Sequence, residues 1–308
     1  MELVRPGTSI DFIGKRKYFI AASIVLSIIS FLSLILHGGP RFGIEFNGGT
    51  MVQVALSKDT TIEEVRKSLQ GNVPGNPIVQ AVLGKDREYI IMLESTTENM
   101  GQIQTMIKGV IGKTYGPKNV QISQTKMVGP KVGKELRQKG LLAVGIALIC
   151  MLVYIWIRFE FDFGLGAMIA TFHDVILMVG YFSVMNKEFD LTFVAALLTI
   201  VGFSMNDTVV VFDRIRELMG RMGSKADMAD VMNRAVNETL SRTILTSLTV
   251  VISIIVLLLL GGATVHDFAV ALMVGVVSGT YSSIYIASPI VLAVRHWQAR
   301  RKKAVAAA

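Results

Sequence analysis

Asp207 is the residue whose position most needs a chemical explanation. It lies inside the apolar stretch Leu191 to Phe212, which at about 1.5 Å of rise per residue is long enough to cross a bilayer as a helix. A carboxylate in such a segment costs about 2.5 to 3.5 kcal/mol on insertion scales, so it faces protein or water and often marks an ion or proton path. Asn206 precedes it, and Asp213, Arg214, Arg216 and Glu217 form a charged exit. Asp207 is thus roughly 8 Å from that end at the helical rise. Arg242 opens a later apolar stretch at nearly the same depth, and its long stem can carry a guanidinium inward. Burial favours the neutral form of a carboxylic acid and a nearby arginine the charged form. A pair that parts and rejoins would bind and release a proton, whereas a permanent pair would only lock two helices.

His173 and Asp174 are the second candidates, near the middle of another apolar stretch, Phe163 to Met185. Histidine titrates near neutrality and an aspartate beside it would tune it, giving a proton relay. Neighbours on a helix point about 100° apart, so the two need not touch, and a polar contact to a partner subunit is the other reading. Asp213, at the boundary, reads as a helix-end or loop contact, and Ser204, Asn206 and Thr208 as hydrogen bonds between helices. No metal-ligand cluster, serine–histidine pair or nucleotide loop is present, and Gly48 and Gly49 lack the lysine a phosphate loop requires. The expectation is a transport subunit with no catalytic site, cofactor or metal.

The elements holding these residues belong to a membrane protein. The 308-residue chain is 52% hydrophobic with mean hydropathy +0.54, too apolar for a soluble domain. Its net charge of +8 and pI near 9.6 do not indicate nucleic acid, because the basic residues collect beside apolar segments. A single cysteine, Cys150, excludes an internal disulfide. The scattered methionines read as apolar filler.

Residues 1–17 form a basic cytoplasmic segment and 18–36 a first, uncleaved span. From 37 to 139 the pattern turns soluble. Thr50 to Leu56 alternates as a strand, Thr61 and Glu64 make a capping box for a helix to about Gln70, and Ile78 to Leu83 and Glu88 to Leu93 are strands around Gly84 to Arg87. Thr97 to Tyr115 is an amphipathic helix and Asn119 to Met127 a strand, completing a β-α-β-β-α-β ferredoxin-like order. Val128 to Gly140 is a connector that Gly129, Pro130 and Gly133 would let bend. Residues 140–294 carry five more spans, Leu141 to Ile157, Phe163 to Met185, Leu191 to Phe212, Thr243 to Leu260 and Phe268 to Val294, and 295–308 a basic tail. Gly275 and Gly279 form a close-packing face in the last span. Lysine and arginine concentrate at the N-terminus, in the Asp213 to Arg242 loop and in the tail, so both termini are expected in the cytoplasm and the ferredoxin-like domain outside.

Three stretches, in this order and spacing, resemble the bacterial SecD/SecF family of the resistance-nodulation-division superfamily. They are GIEFNGGT (Gly43 to Thr50), GFSMNDTVVVFDRIRE, and SRTILTSLTV followed by FAVALMVGVVSGTYSSIYIASP. Gly43, Glu45, Gly48, Gly49, Asn206, Asp213, Arg214 and Gly279 match its motifs. Glu45 and Asn47 depart from the aspartate and hydroxyl residue more usual there. The resemblance implies a proton role for Asp207 and Arg242 and one half of a two-part transporter in the cytoplasmic (inner) membrane. It also implies SecD as partner beside the SecYEG channel, with YajC and YidC as further neighbours. The proton motive force would then draw unfolded preprotein outward, with no nucleic acid involved. A non-transporting scaffold of the channel, or half of a small-molecule or lipid exporter, are the competing readings.

Overall fold

The computed structural model describes residues 9–82, 87–93, 99–223 and 226–306. Arg5, Leu83, the turn residues Gly84 to Asp86, Thr97 and Lys225 lie outside the described residues.

The soluble part is built by local signals that agree with one another. Strands β1 (Gly49–Leu56), β2 (Ile78–Ala81), β3 (Glu88–Leu93) and β4 (Val120–Val128) form one antiparallel sheet in the order β2-β3-β1-β4. Helices α3 (Ile62–Leu69) and α4 (Met100–Tyr115) connect β1 to β2 and β3 to β4, the split β-α-β arrangement expected from the sequence. Alternate residues Val52, Val54 and Leu56 join Ile91, Leu93, Val65 and Leu69 in the core. Ile103, Ile107 and Ile111, four apart on α4, close it. The Thr61–Glu64 capping box forms, and a second one at Asn99 and Gln102 starts α4 at Met100. A four-residue helix, α2 (Ile44–Asn47), precedes β1 inside the GIEFNGGT motif.

Six helices are long and apolar enough to cross a membrane. They are α1 (Arg16–Leu36), α5 (Pro130–Arg158), α6 (Phe161–Val184), α7 (Leu191–Met222), α8 (Met228–Leu260) and a last span in which α9 (Ala263–Ser282) continues through a π-turn (Ser283–Ala287) into α10 (Ser288–Ala306). Pro289 has no N–H to offer the preceding turn, which accounts for the widened helix there. About half of the most apolar stretch is buried in α6, α7 and the last span, against 11% in α1, α5 and α8. The inner layer is therefore α6, α7 and α9, and the chemistry-bearing residues sit on it.

Two expected loops are helices instead. The segment from Asp213 to Arg242 extends α7 as far as Met222 and starts α8 at Met228, the two forming a hairpin. Its faces explain this: Ile215, Leu218, Val231, Met232, Ala235 and Val236 are buried, while Arg221–Glu217 and Arg234–Glu238 pair one turn apart. The backbone of Ile10, Phe12 and Ile13 is clasped by Asn233 and Asn237 at 2.8 to 3.2 Å. The connector is likewise no hinge beyond Gly129, because α5 begins at Pro130 and Gly133 is packed against Phe46 and Gly48.

Candidate proton-binding site

Asp207 is 5% exposed, on the face of α7 turned toward α8 and the π-turn. Thr243 Oγ1 donates to its Oδ1 and Ser283 Oγ to its Oδ2, each at 2.8 Å. The direct partner from α8 is therefore Thr243 and not Arg242. One residue turns a helix by about 100°, which brings Thr243 into the bundle and leaves Arg242 exposed. Among the described residues Arg242 makes no ion pair, so the permanent Asp207–Arg242 lock is not formed in this arrangement. Asp207 is hydrogen-bonded by two neutral hydroxyls, with the unpaired Arg242 charge still near enough to act on it, a setting a carboxyl group can occupy either charged or protonated.

Asp174, on α6, is 1% exposed. Ser278 donates to Oδ1 at 2.6 Å, and Ser204 and Ser282 donate to Oδ2 at 2.6 and 2.7 Å. These contacts come from α7 and α9 of the same chain. His173 does touch its neighbour, with Nδ1 3.3 Å from Asp174 Oδ1. Gly275 and Gly279 permit this convergence: a Cβ at Gly275 would lie 2.4 Å from Ile200, and one at Gly279 would lie 2.8 Å from Ser204. The close-packing face thus meets α7 of this chain.

The remaining motif residues fall into two groups. Asn206 is exposed and lines a groove of about 440 Å³ with Cys150, Tyr154 and Gly202, and among the described residues it makes no hydrogen bond of the kind expected from the sequence between helices. Asp213 pairs with Arg158 at 2.9 Å, tying α7 to the end of α5, and Arg214 bridges α7 to Glu238 on α8.

The GIEFNGGT motif has a role that the sequence pattern did not reveal. Glu45 Oε2 accepts from the backbone N–H of Leu191 at 2.9 Å, capping the first turn of α7 beside Asp190, whose carboxylate accepts from Phe193 N at 2.7 Å. Gly43 N donates to Phe189 O, and Phe189 N to Arg41 O. Gly48 and Gly49 have φ of 78° and 137°, and side chains there would meet Pro130 and the Leu93 carbonyl. The α+β domain is therefore seated on the far end of the same helix that holds Asp207. Asp207 lies sixteen positions after Leu191 along α7, about 24 Å at the helical rise.

Comparison with known proteins places this architecture. The family of protein export membrane proteins SecD/SecF, C-terminal part, matches residues 107–297. A protein translocase subunit SecF of Magnetococcus marinus is 45% identical over 295 residues, covering 95% of this chain and 94% of the relative. One from Calditerrivibrio nitroreducens is 39% identical, covering 97% and 99%. The crystal structure of SecDF from Thermus thermophilus, a translocon-associated membrane protein, superposes with a TM-score of 0.84 at 33% identity over 94% of this chain. A SecDF structure in a super-membrane-facing form gives 0.70 at 35% identity. The chain spans 39% and 41% of those two SecDF chains. With Asp174 and Asp207 buried in a six-helix bundle, an α+β domain seated on it and these relatives along nearly its whole length, the chain belongs to the SecD/SecF family of protein export membrane proteins.

Proposed function

We propose that this chain is the SecF-type half of a proton-driven export pump. It pairs with SecD beside the SecYEG channel, in the company of YajC and YidC, and uses the proton motive force to draw unfolded preprotein outward. Asp207 is the proton carrier. The observation that carries this reading is a buried carboxylate held by two neutral hydroxyls on the helix whose other end is capped by Glu45 from the α+β domain. A change of charge at Asp207 alters what Thr243 and Ser283 must satisfy, and any resulting shift of α7 is carried to the domain by the Glu45 cap and the Arg41–Phe189 pairing. One charge moving through 100 mV is worth about 2.3 kcal/mol, comparable to a few such contacts. Arg242, exposed on α8, modulates the site when the helices rearrange.

The basic hairpin formed by α7 and α8 and the basic tail set the orientation: both termini lie in the cytoplasm, and the α+β domain lies outside the cytoplasmic membrane. The SecD pairing is supported by the exposed Asn206, which lines an open groove between α5 and α7, and by the chain filling only part of the solved SecDF chains. The test compares preprotein release from membrane vesicles with and without a proton gradient, for wild type and Asp207→Asn at equal assembly with SecD. Loss of the gradient-dependent part alone is expected. Undiminished release would leave a scaffold that only stabilises the channel.

A further inference from the structure

Asp174 takes hydrogen bonds from three serines on two other helices, and among the described residues no lysine or arginine pairs with it. Such a site tolerates a charged acid, yet two features equip it equally for a neutral one. Ser282 Oγ lies 3.2 Å from the Gly279 carbonyl as well as 2.7 Å from Asp174, so its hydroxyl has a second acceptor ready when the acid gains a proton. Ser283 repeats the arrangement, 3.0 Å from the Thr280 carbonyl and 2.8 Å from Asp207. Two consecutive residues at the π-turn therefore serve Asp174 and Asp207, one each.

His173 supplies the route. Its ring stacks on Tyr281, its Nδ1 faces Asp174, and its Nε2 is buried without a hydrogen-bond partner among the described residues. His173 is only 7% exposed, and an orphaned buried ring nitrogen is costly enough to need a reason. The same residue lines a groove of about 460 Å³ between α1 and α6 whose walls are mostly apolar, Ile20, Ile24, Phe31 and Phe172 among them, with Ser23 and Ser27 as the other polar members.

Resting on the reading above, we propose that Asp174 is a second proton-binding site, loaded through His173 from the groove between α1 and α6 and coupled to Asp207 through Ser282 and Ser283. With Asp174 ionised, Nδ1 carries the ring proton and Nε2 its lone pair. A proton taken from water at Nε2 and the Nδ1 proton passed to Asp174 Oδ1 turn the carboxylate into the acid and leave the imidazole neutral in its other tautomer. The proton sits on Oδ1, so Oδ2 becomes the neutral and weaker acceptor, and Ser282 turns its hydroxyl from Oδ2 to the Gly279 carbonyl. Because Ser283 follows it in the chain, movement of this turn alters the donor on Asp207.

The test uses the full chain reconstituted with its SecD-type partner, reading gradient-dependent preprotein release against external pH. His173→Gln keeps a donor toward Asp174 but cannot relay, and His173→Phe keeps only the ring. Both are expected to lower release at neutral pH by about a hundredfold, the low end of what a positioned proton-transfer group contributes, and to move the profile toward acid. Asp174→Asn, where it assembles, should lower it as far. Wild-type release and an unchanged profile in both histidine variants, beside an inactive Asp207→Asn, would reduce Asp174 to a packing element and overturn the inference alone. If Asp207→Asn is itself fully active, the proton reading of the whole chain fails.

Discussion

Replacing Glu188 by glutamine tests how the α+β domain is held on its base. Glu188 lies in the connection between α6 and α7, accepts from Gln80 of β2 at 3.3 Å and sits against Gly43. Its charged neighbours are Arg41, Asp190 and Asp267, the last paired with Lys187. Burial pushes its carboxyl from 4.5 up to about 7; Arg41 opposes this, and Asp190 and Asp267 add to it. An acid whose value is higher docked than free stabilises the docked state in its protonated form. That contribution is complete below about 4.5 and is lost as pH rises through about 7. The difference between those values corresponds to about 3 kcal/mol at ~1.36 kcal/mol per pH unit, and to about 2 kcal/mol once the water still reaching this partly exposed side chain is allowed for. About 2 kcal/mol is roughly a thirtyfold change in the docked-to-undocked ratio. Spin labels at Glu63 and Asn186, on opposite walls of the cleft of about 900 Å³ between domain and base, report that ratio as a distance distribution. The exposed Cys150 is first changed to serine. Wild type should show one narrow distance at pH 5 and a second, longer population at pH 8. Glu188→Gln should keep the narrow distance at both. A wild-type distribution that does not change with pH would refute the reasoning.

Other substitutions separate the contacts around Asp207. Thr243→Val removes a buried donor and should destabilise the bundle by about 1 to 3 kcal/mol in a denaturant titration, whereas Arg242→Ala, on an exposed side chain, should stay within about 0.5 kcal/mol while altering the gradient response. Gly279→Leu forces a side chain into Ser204 and should cost about 1 to 3 kcal/mol, seen as a lower unfolding temperature. The same change at Gly145, which faces open space, should leave that temperature unchanged. Thr61→Ala removes the capping box of α3 and should cost about 1 kcal/mol in unfolding of the α+β domain.

Much of the fold is legible in the chain because its signals are local. Leu191 to Phe212 announces a span by length and hydropathy, and Thr61 with Glu64 announces a helix start through two side chains three residues apart. The β-α-β-β-α-β order follows from periodicity in the same way. What was not legible depends on residues far apart in sequence. Nothing near Glu45 signals that it caps a helix beginning at Leu191, and Thr243 looks less eventful than Arg242 until the rotation of α8 is known. The Asp213 to Arg242 hairpin was hidden by its charge, since paired arginines and glutamates on one face resemble a loop when the apolar face is not counted. The serines around Asp174 show a milder version of the problem: nothing in the sequence singles out Ser278 or Ser282, and only the meeting of α6, α7 and α9 makes them donors to one carboxylate.

A carrier at Asp207 must exchange a proton during gradient-driven work. Infrared difference spectra of the reconstituted complex, recorded as a proton gradient is imposed and collapsed, read that exchange in the carbonyl stretch of a protonated carboxyl group. The prediction is a band that appears and disappears with the gradient in wild type and is missing in Asp207→Asn, with a separate band missing in Asp174→Asn. A gradient-dependent spectrum identical in wild type and Asp207→Asn, while preprotein release still follows the gradient, would contradict the assignment of Asp207 as the carrier.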